Sequence, residues 1–119
     1  MGALARSAKN HMREKQLTTT DDLEIFKALA NENRLRILHW LKHPEQHFPP
    51  HKEVEGFENG VCVAFIQAKL NLSQAATSQY LTILQKAGLV IPTRIGKWTY
   101  YRRNEEALAR FVDQLRDAI

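Results

Sequence analysis

Ser73, Gln74, Ser78 and Gln79 lie within seven residues of one another, in a part of the chain that has no carboxylate. From Asn59 to Asn104, 46 residues include Lys69, Lys86, Arg94, Lys97, Arg102 and Arg103 but neither aspartate nor glutamate. A glutamine amide donates and accepts in fixed geometry and matches the two polar atoms on the major-groove edge of adenine, whereas serine hydroxyls and cations suit phosphate oxygens. The chemistry this implies is recognition of a polyanion that carries readable edges, not the making or breaking of bonds. Ala75 beside these groups keeps the surface slim. Thr77 and Tyr80 on the same segment, with Arg94, Lys97 and Arg102 further on, complete the candidate nucleic-acid contacts.

The elements that must position these groups are legible in the spacing. Leu23, Phe26, Leu29 and Ala30 recur at helical period behind Asp21 and Asp22, which serve as the start signal, and Asn31 then opens a second helix with Leu35, Leu38 and Leu41 on one stripe. Residues 44–60 hold Pro44, Pro49, Pro50, Gly56 and Gly60 and read as a long exposed loop, a length usually tied to function or disorder. Val61–Leu70 reads as a third helix, Asn71-Leu72-Ser73 as a turn with Ser73 as N-cap, and Gln74–Ala87 as a fourth helix stopped by Gly88. In that fourth helix Thr77, Leu81 and Leu84 share one side, which turns Ala75, Ser78, Gln79 and Thr82 outward.

Val90–Ile95 and Trp98–Arg102 are rich in β-branched and aromatic residues, and Gly96-Lys97 between them predicts a hairpin. Asn104–Ile119 places Leu108, Phe111, Val112, Leu115 and Ile119 on one helical stripe, more apolar surface than a last helix needs, which points to self-association. The expected fold is mainly α with a small β-hairpin, ordered α-α-α-α-β-β-α, with an extra N-terminal helix as an option. It forms a single domain over 1–119: an N-terminal arm or helix (1–20), a loop (44–60), a helix-turn-helix (61–88), a wing (90–103) and a dimerisation helix (104–119).

With 119 residues, 44% of them hydrophobic, there is room for one core. The net charge of +4 divides into +3 over 1–43, −3 over 44–58, +6 over 59–104 and −2 over 105–119, so the excess is local. One cysteine, Cys62, excludes an internal disulfide and suits a reducing, cytoplasmic compartment. Met1–Lys15 has neither a signal-peptide core nor the roughly 20 apolar residues of a membrane span. An enzyme is not indicated: no nucleophile with a paired base, phosphate-cradling glycine loop or zinc-protease helix is present.

Three runs in order, Ala28-Leu-Ala-Asn-Glu-Asn-Arg-Leu-Arg-Ile-Leu38, Leu72-Ser-Gln-Ala-Ala-Thr-Ser-Gln-Tyr-Leu81 and Lys86-Ala-Gly-Leu-Val90, resemble the ArsR family of winged helix-turn-helix repressors over roughly Leu23 to Arg103. The resemblance implies a homodimer joined through terminal helices, with two recognition helices about one DNA turn apart on palindromic double-stranded DNA. It also directs attention to inducer sites. Arsenic-type members carry Cys-Val-Cys-Asp-Leu where this chain has Cys62-Val63-Ala64-Phe65-Ile66, and a lone thiolate does not make a multidentate soft-metal site. The last helix lacks the histidines of zinc-sensing members, and no second cysteine is present for a redox pair. The expectation is therefore a repressor with no metal or other cofactor, and with an unidentified small-molecule or protein effector if it has one. Two residual sensors remain: a metal held by His43, His47 and His51 with His39 nearby, and oxidation or alkylation of Cys62. The rival readings are a winged helix used only for protein interaction and a metal-responsive regulator built on the histidine-rich loop.

Overall fold

The computed structural model describes residues 17–119. Along them run α1 (Thr20–Leu29), α2 (Glu32–Lys42), a 3-10 turn (Pro44–Gln46), β1 (Val61–Cys62), α3 (Val63–Leu70), α4 (Gln74–Lys86), β2 (Val90–Ile95), β3 (Trp98–Arg103) and α5 (Glu105–Ala118). Four of these helices start at a side chain that accepts a bond from a backbone N–H three residues on, satisfying one of the donors a helix leaves orphaned. Thr19 accepts from Asp22, Asn31 from Arg34, Ser73 from Ala76 and Asn104 from Ala107, at 3.0–3.1 Å. The start signal assigned to Asp21 and Asp22 thus moves to Thr19. Its hydroxyl also donates to the buried Asp22 carboxylate at 2.7 Å, and both acids lie in the first turn, where the helix dipole favours them. Most of the expected arm over 1–20 lies outside the described residues.

Val61 and Cys62 are not helical. They form β1, paired antiparallel with β3 through Val61↔Tyr101 and Cys62↔Tyr100, and α3 begins only at Val63. The sheet order is β1-β3-β2, so the wing has a third strand at its base. Gly60 makes this possible: its φ is +98°, and a Cβ there would collide with the Tyr101 carbonyl. At the other end β2 and β3 are joined by the two-residue turn Gly96-Lys97, with Gly96 at φ 60°.

Ile37, Leu38 and Leu41 of α2, Ile66 of α3 and Leu81 and Leu84 of α4 meet beneath Val61, Leu89 and Val90 to form the core. Arg103 at the end of β3 ties the sheet to this bundle, donating to Leu38 O at 3.3 Å while gripping Glu105 of α5 at 2.9 and 3.0 Å. On the far side, Phe26 of α1 meets Phe111 of α5 edge to face at 5.1 Å.

The segment 44–60 is not the exposed loop that its prolines suggest. Phe48 and His51 are buried. Phe48 packs edge-on to Trp40 at 6.3 Å, and the Lys69 ammonium stands over both rings at 5.2 and 5.9 Å. His51 is stacked on Phe65 at 5.0 Å and touched by Phe57 and Tyr100 at 4.9 and 5.1 Å. Its Nε2 accepts the Cys62 N–H at 3.1 Å, which leaves the ring proton on Nδ1, 3.1 Å from Gly56 O. One side chain therefore closes the loop on itself and fastens it to β1.

His51→Ala removes the acceptor for a buried N–H and opens a void among three aromatic rings, so it should cost about 2–4 kcal/mol by urea unfolding. Glu53→Ala, on the exposed side of the same segment, should stay within about 0.5 kcal/mol. Tyr100 adds a pH signature. Its fully buried hydroxyl finds no hydrogen-bond partner among the described residues. Burial, assisted by Cys62 and Glu53, raises the phenol above its ordinary 10.0. A raised phenol favours the neutral form in the fold, so the stabilisation is complete below the unfolded value and is lost as pH rises through the folded one. Tyr100→Phe should be no less stable than the parent at pH 7, and should lose less stability on passing to about pH 11 in denaturant titrations at both pH values.

Candidate nucleic-acid interface

Helix α4 is oriented by its buried stripe. Thr77, Leu81 and Leu84 are completely inaccessible, and a threonine is tolerated there because its hydroxyl donates to Ser73 O at 3.0 Å. With these three facing in, Gln74, Ala75, Ser78, Gln79 and Thr82 are all exposed. Thr77, included among the candidate contacts, is a packing residue. Ser73 Oγ accepts from Ala76 N at 3.1 Å and keeps its own hydrogen to donate. The turn before it is set by Asn71, left-handed at φ 56°, and by Gln67 reaching Leu72 O at 3.4 Å.

Tyr80 is half-buried and points at α2. Its hydroxyl accepts from Asn33 Nδ2 at 3.2 Å, and the Arg34 guanidinium lies over its ring at 5.9 Å. The spacing of this run marks the cap Asn31 and the apolar stripe of α2, but gives neither Asn33 nor Arg34 a task. No local periodicity marks a partner 47 residues away.

In the wing, Arg94, Lys97 and Arg102 are exposed. Arg94 Nε donates to Gly96 O at 2.9 Å, which braces the turn, and the Lys97 ammonium lies 5.6 Å from the Trp98 ring centre. The pairing Ile91↔Arg102 and Arg94↔Thr99 puts Arg94 and Arg102 on opposite faces of the hairpin, because side chains alternate along a strand. Arg103, the last cation of the acid-free stretch, is held by Glu105 and Leu38 as described.

The five apolar residues of the C-terminal stripe divide. Phe111 is buried within the protomer against Phe26, and Leu108 packs against the core. Val112 is 47% exposed, Leu115 half-buried and Ile119 93% exposed, and Leu23 of α1 is 46% exposed. The surface left for a partner is therefore Val112, Leu115 and their neighbours, not the whole stripe.

His43, His47 and His51 do not come together. His51 faces the interior, while His47 lies 5.3 Å from His39, ring to ring, and His43 Nδ1 is 3.9 Å from Glu45. Burial lowers the His47 pKa, helped by the neighbouring His39, Lys69 and His43 against the pull of Glu45. Among the described residues, no group of three or more His, Cys, Asp or Glu side chains is arranged to hold a metal ion. Cys62 is buried in β1. No helix of the described residues is long and apolar enough to cross a membrane.

Two helices joined by a tight turn, followed at once by a β-hairpin, define a winged helix-turn-helix. No protein-family model matches the chain. The uncharacterized HTH-type transcriptional regulator YbzH of Bacillus subtilis is 52% identical over 99 residues, 83% of this chain and 99% of the relative. The putative arsenical resistance operon repressor ArsR2 of Halobacterium salinarum is 33% identical over 97 residues, 80% of this chain and 71% of the relative. Among solved structures, the homodimeric winged helix-turn-helix DNA-binding domain of a possible ArsR-family transcriptional regulator from Mycobacterium bovis superposes with a TM-score of 0.61 at 26% identity, covering 87% of this chain and 84% of that one. The chain belongs to the ArsR family of winged helix-turn-helix transcriptional regulators. These relatives are regulators, not enzymes.

The burial of Cys62 has a direct consequence. Its alkylation by iodoacetamide in the native protein should wait for opening of the β1 edge and run at least about tenfold slower than in urea. Equal rates in the two states would put the thiol back at the surface as a switch.

Proposed function

We propose that this chain is a cytoplasmic homodimeric repressor that lays α4 in the major groove of a palindromic DNA site. The observation that carries this is the exposed face of α4, small and polar from Gln74 to Thr82, set in a stretch without a single carboxylate. Gln74 and Gln79 read base edges, and each bidentate amide contributes about 1–3 kcal/mol of discrimination. Ser73 and Ser78 hold phosphate. Arg94, Lys97 and Arg102 meet the backbone from the wing, with Arg94 and Arg102 serving different sides of the hairpin. The second copy docks on Val112 and Leu115 of α5 beside α1, which spaces the two recognition helices about one DNA turn apart. The protein performs no catalysis and carries no metal or other cofactor. Any effector that releases it from DNA is not a thiolate-bound metal.

The test is fluorescence anisotropy against the duplex that the wild-type protein enriches from a random pool, compared with a scrambled duplex, across salt. Gln79→Ala should relax base preference by about 1–3 kcal/mol, whereas Lys97→Ala should weaken both duplexes alike and flatten the salt slope by about 0.9. No enrichment of any sequence by the wild-type protein would leave an interaction module as the reading.

A further inference from the structure

We propose that Tyr80 is not a DNA contact but the positioning residue of the recognition helix: its hydroxyl, held by Asn33, sets the rotation of α4 and thereby the aim of Gln79. This rests on α4 being the reading helix. Apolar packing by Leu81 and Leu84 says which face of α4 is buried, but such packing is non-directional and leaves the helix free to roll by several degrees. A roll of about 10° displaces a group some 6 Å from the helix axis by about 1 Å, and a site loses productive geometry on displacements of about 0.5 Å. A directional bond on the flank of the helix removes that freedom.

The structure supplies one. Tyr80 follows Gln79 directly, so it sits about 100° further round α4. Asn33 Nδ2 donates to its hydroxyl at 3.2 Å. The support beneath it is fixed in turn. Arg34, next to Asn33, donates from Nε to Ala28 O at 2.7 Å and from Nη2 to Lys27 O at 3.0 Å, occupying the carbonyls at the end of α1. So held, its guanidinium stands 5.9 Å from the Tyr80 ring centre. Tyr80 is clasped by α2 at its tip and overlaid by a cation anchored to α1, an arrangement that spans three helices and leaves the phenol half-buried rather than presented outward.

The experiment compares wild type, Tyr80→Phe, Asn33→Ala and the double variant on the selected and scrambled duplexes, at temperatures where each protein is fully folded. Tyr80→Phe keeps the ring and loses the bond. The expected result is a three- to tenfold fall in the ratio of selected to scrambled affinity, the size of one neutral hydrogen bond. Affinity for scrambled DNA and the salt slope should stay unchanged. Asn33→Ala should give a similar fall, and the double variant should be no worse than either single one, because both remove the same interaction. A ratio unchanged by Tyr80→Phe overturns the proposal. So does an equal loss on both duplexes, which would make the hydroxyl a phosphate contact, and so does additivity in the double variant. If the wild-type protein shows no preference for any duplex, the reading of α4 itself fails, and that outcome is visible before any variant is compared.

Discussion

The complete burial of Thr77, Leu81 and Leu84 is the constraint on which the rest of the molecule depends. These three residues fix which side of α4 is inside, and at 3.6 residues per turn the outward set follows with no further choice. Thr77 is the least obvious of the three, since a buried hydroxyl without a partner is costly. Ser73 resolves this from its backbone carbonyl while its side chain caps the same helix. One residue thus starts α4 and makes its core face acceptable, and the exposed face begins at the next residue, Gln74. A substitution at Ser73 removes the cap but keeps the carbonyl that accepts from Thr77.

A second constraint works from the opposite end of the domain. The wing is a hairpin, and a two-stranded hairpin alone is marginal in water. Here β3 has neighbours on both sides, because Gly60 lets the chain approach Tyr101 closely and His51 holds the preceding segment against Cys62 N–H. Arg103 then binds the last residue of β3 to α2 and α5 at once. The wing's orientation relative to α4 is therefore set by Gly60 and His51, which lie in neither element, together with Arg103 at the end of the wing itself. That is why the proline-rich segment 44–60 is better described as a brace than as a loop.

What the sequence made legible is what repeats locally. The caps Asn31 and Ser73, the inner stripe of α4 and the hairpin turn at Gly96 each act within a few residues, so spacing alone identifies them, and the acid-free stretch shows in composition alone. What stayed hidden depends on partners far along the chain. A two-residue strand has no periodicity, so Val61-Cys62 merged with the apolar helix that follows it. The prolines around His51 described the backbone correctly but said nothing of the pocket made by Phe57, Phe65 and Tyr100. Phe111 fitted the stripe of a dimer helix, yet only the position of Phe26 in space decides that it is used within the protomer. Tyr80 entered the candidate contacts for lying in the right motif, and its bond to Asn33 spans 47 positions.

The distribution of cations follows from the same division between local and distant. Six cations in a stretch without acids suggest a uniform positive surface, but the fold assigns them unequal tasks. Arg103 is paired with Glu105 and a buried carbonyl, and Lys69 is stacked over Trp40 and Phe48. Lys86, Arg94, Lys97 and Arg102 are exposed, as Lys69 is, with Arg94 braced on Gly96 O and Lys97 beside the Trp98 ring. The carboxylates nearest the wing in sequence, Glu105 and Glu106, are answered by Arg103 and Arg110, so they cancel little of the field at the wing. At a Debye length of about 8 Å in physiological salt, it is this local balance, and not the net charge of the chain, that an approaching polyanion meets. The acid-free stretch matters because it puts no carboxylate of its own on the outward face of α4 or on the wing tip, whose side chains are exposed.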